Sequence, residues 1–513
     1  MNVLVKLSLT GLMAFGISQA TVNFPFPQNS DCDGHATLLS DKAKAAEDLK
    51  KQFAYWMKDM YNEQGDVAGV RSNPGSNEYF SEGVGYGMLL MVYFSDNTTS
   101  YQSQFDKIWN FYKKSMDKNG LMNWNMNNLS GINGSGAALD GDIDAAAALV
   151  MAYYQFGDEK YKTDAKTLIQ NMKKFEFEEN GLHLPGDSWG EGGFNRKNPG
   201  YFDPAYMPLF AAIDEENADF WKNKAYDANM KLYESSSNEV STGLIDDWTD
   251  KNGKSEDDYY SYDASRAPWR NAKAVCWHGD ERALAIDKKM AKFVSGVNAK
   301  NMSGPVIRSS GQLGNDHNST FVTSLMTSLI SDPSYQSKLD EYWAEAVSLG
   351  DENYFNQSLK LLNGLLVSGN MPNLMTAGNK PASSSSSVNP TSSAVNPASS
   401  SAVEPNSSAM NPAQSSSSNV VPLQSSSSVF DGLVANAVAP NQILKLHGRV
   451  LNMNLSGISR VDLISATGSV VKTLWNGSAS GSVSVSLQGI PSGIYVAKVT
   501  TAGLNFMQKL NVR

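Results

Sequence analysis

Three acidic clusters stand where buried helices are expected to begin: Ser81-Glu82-Gly83, Asp140-Gly-Asp-Ile-Asp144 and Tyr262-Asp263-Ala264. A carboxylate in such a place costs desolvation free energy unless it is paired, caps the helix or faces a cleft. Capping is the ordinary use, because an acidic residue at a helix start satisfies free backbone N–H groups and complements the helix dipole. Three clusters on separate buried helices, with ends that converge, favour a shared cleft instead. Two carboxyl groups across a cleft can do acid–base work, one protonating a leaving oxygen while the other activates water. Aromatic residues crowd the intervening segments: Trp124, Trp189, Phe202, Tyr206, Trp248, Tyr259, Tyr260, Tyr262 and Trp269. Some of these rings belong to the core, but flat rings with polar tips also stack on sugar faces. Paired carboxylates beside aromatic segments point to hydrolysis of a glycosidic bond.

Other chemistries find less support. Asp140, Asp142 and Asp144 open like a calcium loop, yet Ala145 and Met151 occupy the positions where an EF-hand needs Gly and Glu. The five His, at 35, 183, 278, 317 and 447, are scattered and form no HExxH pattern. No metal and no cofactor is expected. Gly186-Asp-Ser188-Trp-Gly190 fits the G-x-S-x-G elbow, but Pro185 and a short Leu-His-Leu segment precede it where that motif needs a buried strand. The match is read as chance.

The elements that must position these residues are helical. About twelve helical stretches lie between Ser40 and Gly369, and two kinds alternate. Asp41–Met60, Tyr101–Asp117, Asp158–Phe175, Asn217–Glu234, Asp280–Ser295 and Asp332–Leu349 are amphipathic and charged, each able to show one face to water. Those between them, such as Gly83–Phe94 and Ala145–Ala152, are apolar or small on nearly every side. Alternating wet and buried helices is what a double ring demands. The reading is an all-α domain, an (α/α)6 barrel.

The 513-residue chain exceeds the size at which one core keeps growing, so more than one folded unit is expected. Residues 1–20 read as a signal peptide, with Lys6, an apolar run from Leu7 to Ile17 and Ser18-Gln19-Ala20. No later run reaches the ~20 apolar residues of a membrane span. Residues 21–375 form the helical domain, and 376–429, rich in Ser and Pro, form a disordered linker. Residues 430–513 carry short alternating strands with turns at Thr467-Gly468 and Asn476-Gly477, the pattern of a small β-sandwich. With Gly468 and Pro491-Ser-Gly-Ile-Tyr-Val496, this tail resembles the C-terminal sorting domains of type IX secretion substrates, which implies cell-surface attachment. Its few aromatics, Phe430, Trp475, Tyr495 and Phe506, fit a carbohydrate-binding module less well. A net charge of −10 without a basic cluster argues against nucleic acid as a partner. Only Cys32 and Cys276 are present, and in an exported chain they either pair or stay free and buried. A secreted or surface-held monomer is expected.

The signature A-[ST]-D-[AG]-D, followed by an apolar helix and an aromatic, is matched by Ala138-Leu139-Asp140-Gly141-Asp142 through Ala152 and Phe156. Leu139 replaces the usual hydroxyl residue and Ala145 the usual Ile or Met, and neither is a carboxylate. With Ser81–Gly87, Asn198–Ala205 and Tyr262–Arg270, these motifs make the region from about 40 to 370 resemble glycoside hydrolase family 8. The resemblance implies Glu82 as general acid, Asp263 as general base and Asp140 as the residue holding the sugar at the cleavage point. It further implies Arg266 and Tyr262 beside the base, and Trp124, Trp189, Tyr201 and Asp142 as sugar contacts. Glu82 must be protonated to work, so its proton affinity is expected to be raised by burial and by Asp140. Gly243-Leu-Ile-Asp-Asp-Trp248 and Leu184–Gly190 look most like the endoglucanase branch, which implies inverting hydrolysis of cellulose or another β-1,4-linked glucan. Xylan, lichenan and chitosan are the substrates of other branches. A catalytically dead carbohydrate-binding protein is the alternative of another class, and it has no need of all three carboxylates.

Overall fold

A computed structural model describes residues 22–32, 36–188, 195–350, 353–378, 444–447, 449–465, 470–491, 493–501 and 505–512. The signal segment 1–20, Trp189, the turn at Thr467-Gly468 and residues 379–429 of the linker lie outside them.

The helices of the N-terminal unit alternate as the periodicity predicts. The outer series is α1 (Lys42–Asp59), α3 (Gln102–Lys114), α5 (Glu159–Phe175), α7 (Tyr226–Asn238), α9 (Glu281–Ser295) and α11 (Gln336–Ser348). Each buries one stripe, as α1 does with Ala45, Ala46, Leu49, Phe53 and Trp56. The inner series is α2 (Ser81–Phe94), α4 (Leu139–Phe156), α6 (Met207–Ile213), α8 (Ala267–His278), α10 (Ser319–Ser328) and α12 (Tyr354–Val367). Every residue of α2 and of α10 is buried. Helix α2 packs on α4, α4 on α6, α8 on α10, α10 on α12 and α12 back on α2, and α8 meets α6 through the 3-10 turn Pro204–Tyr206 that leads into it, so the inner ring closes and the outer helices cover it. This is the (α/α)6 barrel. A helix that is apolar all round has no face to give to water, which forces it inside.

The stretch expected as one helix over Asn217–Glu234 is broken into a 3-10 turn at Glu215–Asn217, a π-helical turn at Phe220–Ala225 and then α7. Cys32 and Cys276 are joined in a disulfide, their Cα atoms 4.4 Å apart, which ties the N-terminal segment to the far end of α8.

The C-terminal unit is strand-rich. Leu444–His447, Val450–Ser465, Val470–Ser486, Gly493–Thr501 and Asn505–Val512 pair antiparallel, and Leu451, Met453, Val461, Leu463, Tyr495 and Ala497 share one apolar cluster. The expected turn at Asn476-Gly477 is not one. Both residues lie inside the long strand and pair with Arg460 and Ser459, because the partner strand continues past them.

Candidate active site

The N-terminal ends of the inner helices meet at one end of the barrel, and glycines let them approach. A Cβ on Gly85 would lie 2.8 Å from the Gly141 carbonyl oxygen, and one on Gly141 would lie 2.6 Å from the Ser81 backbone. Side chains there would wedge α2 from α4 and separate Glu82 from Asp140. Gly200 does the same for the segment before α6, where a Cβ would stand 2.4 Å from the Asp263 carbonyl oxygen. Neither N-cap residue of α2 or α4 bonds through its side chain, while Asp140, in the first turn of α4, accepts the Gly141 N–H at 2.9 Å.

Arg266 joins the three carboxylates. Its Nε donates to Glu82 Oε1, one terminal nitrogen lies 3.2 Å from Asp263 Oδ1, and the other lies 3.4 Å from Asp140 Oδ2. The guanidinium also lies 5.1 Å from the Tyr201 ring centre, in a cation–π contact. Glu82 accepts two more hydrogen bonds, from the hydroxyls of Tyr86 at 2.9 Å and Tyr354 at 2.7 Å. Asp263 is the most open of the three carboxylates, its side chain 36% exposed, and its Oδ2 accepts the Trp248 indole N–H at 2.9 Å. Two hollows meet over this cluster, of about 260 and 500 Å³. Trp124, Tyr201, Ala138 and Asp140 line the first; Asn73, Glu78, Tyr262, Asn353 and Asn356 line the second. Phe80, Glu82, Arg266 and Tyr354 line both.

The electrostatics follow from burial and from charge imbalance. Asp140 is pushed up to about 7, first by burial and then by the negative charge of Glu82. Near pH 7 Asp140 therefore carries a proton part of the time, beside Glu82. Asp263 is exposed enough for water to reach its carboxylate. The site thus offers a proton source and a solvent-accessible carboxylate on one guanidinium, beside aromatic rings.

Comparison with known proteins decides the family. The model of glycosyl hydrolases family 8 matches residues 31–369. Endoglucanase 2 of Ruminiclostridium josui is 31% identical over 71% of this chain and 81% of its own length. Endoglucanase C of Ruminiclostridium cellulolyticum is 30% identical over 71% of this chain and 80% of its own length. The chain belongs to glycoside hydrolase family 8. Among solved structures, the apo β-1,3-1,4-glucanase from Paenibacillus sp. X4 shares the fold, with a TM-score of 0.64 at 23% identity over 68% of this chain and 99% of that one.

In this family 8 hydrolase the sequence-predicted residues Glu82, Asp140, Asp263, Trp124, Tyr201, Tyr262 and Arg266 all come to the paired hollows or the carboxylate cluster. Trp189 lies outside the described residues. Asp142 is a correction: it is fully buried and accepts hydrogen bonds from the Tyr112 hydroxyl and the Met122 backbone instead of facing a sugar. Two positions along a helix turn a side chain by about 200°, so Asp140 and Asp142 cannot share a direction. Asp140, which burial and the charge of Glu82 push up to about 7, has only the more distant arginine nitrogen to offset them.

Sequence reasoning missed the contacts of Tyr86 and Tyr354 with Glu82 and of Trp248 with Asp263, and a buried ion cluster one turn deeper. There Arg270 bonds Asp144 at 2.8 and 3.1 Å and Asp203 at 3.1 Å, and Lys273 lies 2.6 Å from Asp203. Tyr86 was findable, since it follows Glu82 by four residues on a helix. Tyr354 and Trp248 left no local signal.

Proposed function

We propose that this hydrolase is an exported, inverting endo-β-1,4-glucanase acting on cellulose or a related β-glucan. The observation that carries the reading is the single guanidinium spanning Glu82, Asp140 and Asp263 below an aromatic-lined cleft. Inverting enzymes keep acid and base roughly 6.5–9.5 Å apart to admit a water, and Arg266 holds Glu82 and Asp263 on separate nitrogens of its guanidinium. The relatives named as endoglucanases support the glucan assignment.

In this mechanism the glycosidic oxygen lies over Glu82, where the two hollows meet. Glu82, which must be protonated to act, gives it a proton, with Asp140 beside it. Asp263, ionised and open to the cleft, takes a proton from a water on the opposite ring face, and that water attacks the anomeric carbon. Arg266 balances the negative charge that moves from Asp263 toward Glu82 during the step. Trp124 and Tyr201 supply stacking surface on one side of the break, and Tyr262 lies on the other.

Export through residues 1–20 agrees with the disulfide, since such bonds persist in oxidising compartments. Attachment to the cell surface is assigned to the C-terminal unit on the sorting-domain resemblance.

The test is a reducing-sugar assay on carboxymethyl cellulose, xylan, chitosan and mixed-linkage glucan, with the product anomer followed by NMR. Fastest cleavage of a β-glucan with the α-anomer appearing first is expected. Activity confined to xylan or chitosan, or the β-anomer appearing first, overturns the assignment. Glu82→Gln and Asp263→Asn should each lose roughly 10²–10⁴-fold in kcat while retaining sugar binding.

A further inference from the structure

The segment Gly243–Trp248 lies beside the general base, and two of its side chains hold that base from different directions. Trp248 reaches the side chain: its indole nitrogen donates to Asp263 Oδ2 at 2.9 Å, while Arg266 holds Oδ1 at 3.2 Å. Asp247 reaches the backbone: its Oδ1 accepts the N–H of Ser261 at 2.7 Å and of Ala264 at 2.8 Å, bracketing Asp263 in the chain. Asp247 is buried, and burial together with the neighbouring Asp263 charge pushes it up to about 8, so it works mainly as a neutral acceptor.

The segment is itself anchored. Buried Arg308 bonds Asp246 Oδ2 at 2.6 Å and the Leu244 carbonyl at 2.9 Å. The Trp248 ring carries the Arg196 guanidinium 4.8 Å from its centre, and Arg196 is ion-paired with Glu256. A side chain that moves a proton to or from water within a fraction of an ångström needs this kind of rigid support. Asp263 precedes the 3-10 turn Ala264–Arg266 that leads into α8, so it lies ahead of the helix and not within it.

We propose that the dipeptide Asp247-Trp248 is the positioning element of the general base, Asp247 fixing the loop that carries Asp263 and Trp248 fixing the orientation of its carboxylate. The proposal rests on Asp263 acting as base. Trp248 is assigned to orientation because its indole nitrogen is engaged on Asp263 Oδ2 and its ring is covered by Arg196.

The test uses the full-length enzyme with a soluble β-glucan. Trp248→Phe keeps a ring under Arg196 and removes only the donor. It should lower kcat at least tenfold with KM within about twofold, and move the acidic limb of the kcat/KM profile to higher pH, since a donor to the charged carboxylate is gone. The charged groups facing Asp263 in that profile are Arg266 and Asp247, with Glu82 and Asp140 beyond the guanidinium. Asp247→Ala should lose roughly 10²-fold in kcat, and Asp247→Asn, which retains the acceptor, should restore most of that loss. Trp248→Phe with wild-type kcat and an unmoved acidic limb overturns the proposal, as does a rise in KM at unchanged kcat. Should Asp247→Ala fail to fold by circular dichroism, the Trp248→Phe profile alone decides. Asp263→Asn is measured alongside: if it stays active, the base assignment itself is wrong. If it is inactive while Trp248→Phe behaves as wild type, only the positioning role falls.

Discussion

Arg266 and Arg270 stand one helical turn apart, both buried and both holding carboxylates, yet one cluster is built to react and the other to stay put. Arg266 faces Glu82, Asp140 and Asp263, one positive charge against three potential negative ones. Arg270, with Lys273, faces Asp144 and Asp203, two against two. The two layers are in register, because Asp140 and Asp144 are spaced by four on α4 just as Arg266 and Arg270 are spaced by four at the start of α8. The deeper layer is neutral when fully ionised and is sealed. Although burial lowers Lys273 to about 8, it remains mostly charged at neutral pH beside Asp203. The upper layer is in deficit of positive charge and opens to the cleft, so it must borrow a proton. That imbalance distinguishes the catalytic layer from the structural one.

Replacing each arginine by methionine is the strongest way to break the comparison. Arg266→Met should lower kcat by roughly 10³-fold, as removal of a charged group at the reacting centre does, while urea unfolding near pH 6 changes by about 1 kcal/mol. Its carboxyl groups border the cleft and can take up protons. Arg270→Met should cost about 3–5 kcal/mol in the same unfolding experiment, because Asp144 and Asp203 are left buried with one cation between them. A stable Arg270→Met, or an Arg266→Met that is strongly destabilised yet turns over at the wild-type rate, reverses the assignment of the two layers.

The next effect is a pH dependence. Asp140 in the folded state binds its proton up to about 7, well above the ordinary carboxyl range. A raised folded-state value means stability that is complete at low pH and lost as pH rises through about 7. Wild type should therefore lose on the order of 2–4 kcal/mol between pH 4 and pH 8 through this group. Asp140→Asn does not titrate, so it should match wild type near pH 4 and become the more stable of the two as pH rises through about 7. Equal slopes for both proteins show that Asp140 does not bind the proton.

The larger architecture was legible because the signal is collective. Six charged helices alternating with apolar ones leave few arrangements other than a double ring, and no single misread helix spoils the pattern. Helix α7 illustrates this: its beginning is broken by a π-turn, yet the ring closes. The carboxylates of the site were legible because Glu82, Asp140 and Asp263 open buried helices where charge is costly. What was not legible depends on approach between distant segments. Arg266 lies 184 residues from Glu82, and Tyr354 lies 272 residues from it. Nothing local in either sequence neighbourhood selects that partner. Asp142 was misread for the opposite reason: a shared motif suggested a shared role, although helical geometry sends it to Tyr112.

The smallest effect tests how finely the upper layer is tuned. Tyr354 opens α12 and donates to Glu82 Oε2 at 2.7 Å, on the oxygen not engaged by Arg266 or Tyr86. That oxygen is the one free to turn toward a leaving group where the two hollows meet. Tyr354→Phe removes one hydrogen bond to a charged acceptor, worth about 1.5–3 kcal/mol if it is made in the transition state and absent from the balance if water replaces it. The hydroxyl borders the cleft, so partial replacement by water is expected, and kcat should fall about threefold to tenfold with little change in stability. Losing a donor that favours the carboxylate also strengthens the hold on the proton, so the alkaline limb of the rate profile should move to higher pH by less than about one unit. A loss as large as that of Glu82→Gln would make Tyr354 a relay for the proton itself. The comparable change in the sealed layer, where Tyr206 lies over Lys273 at 3.8 Å, should leave the rate profile unmoved and appear only in unfolding.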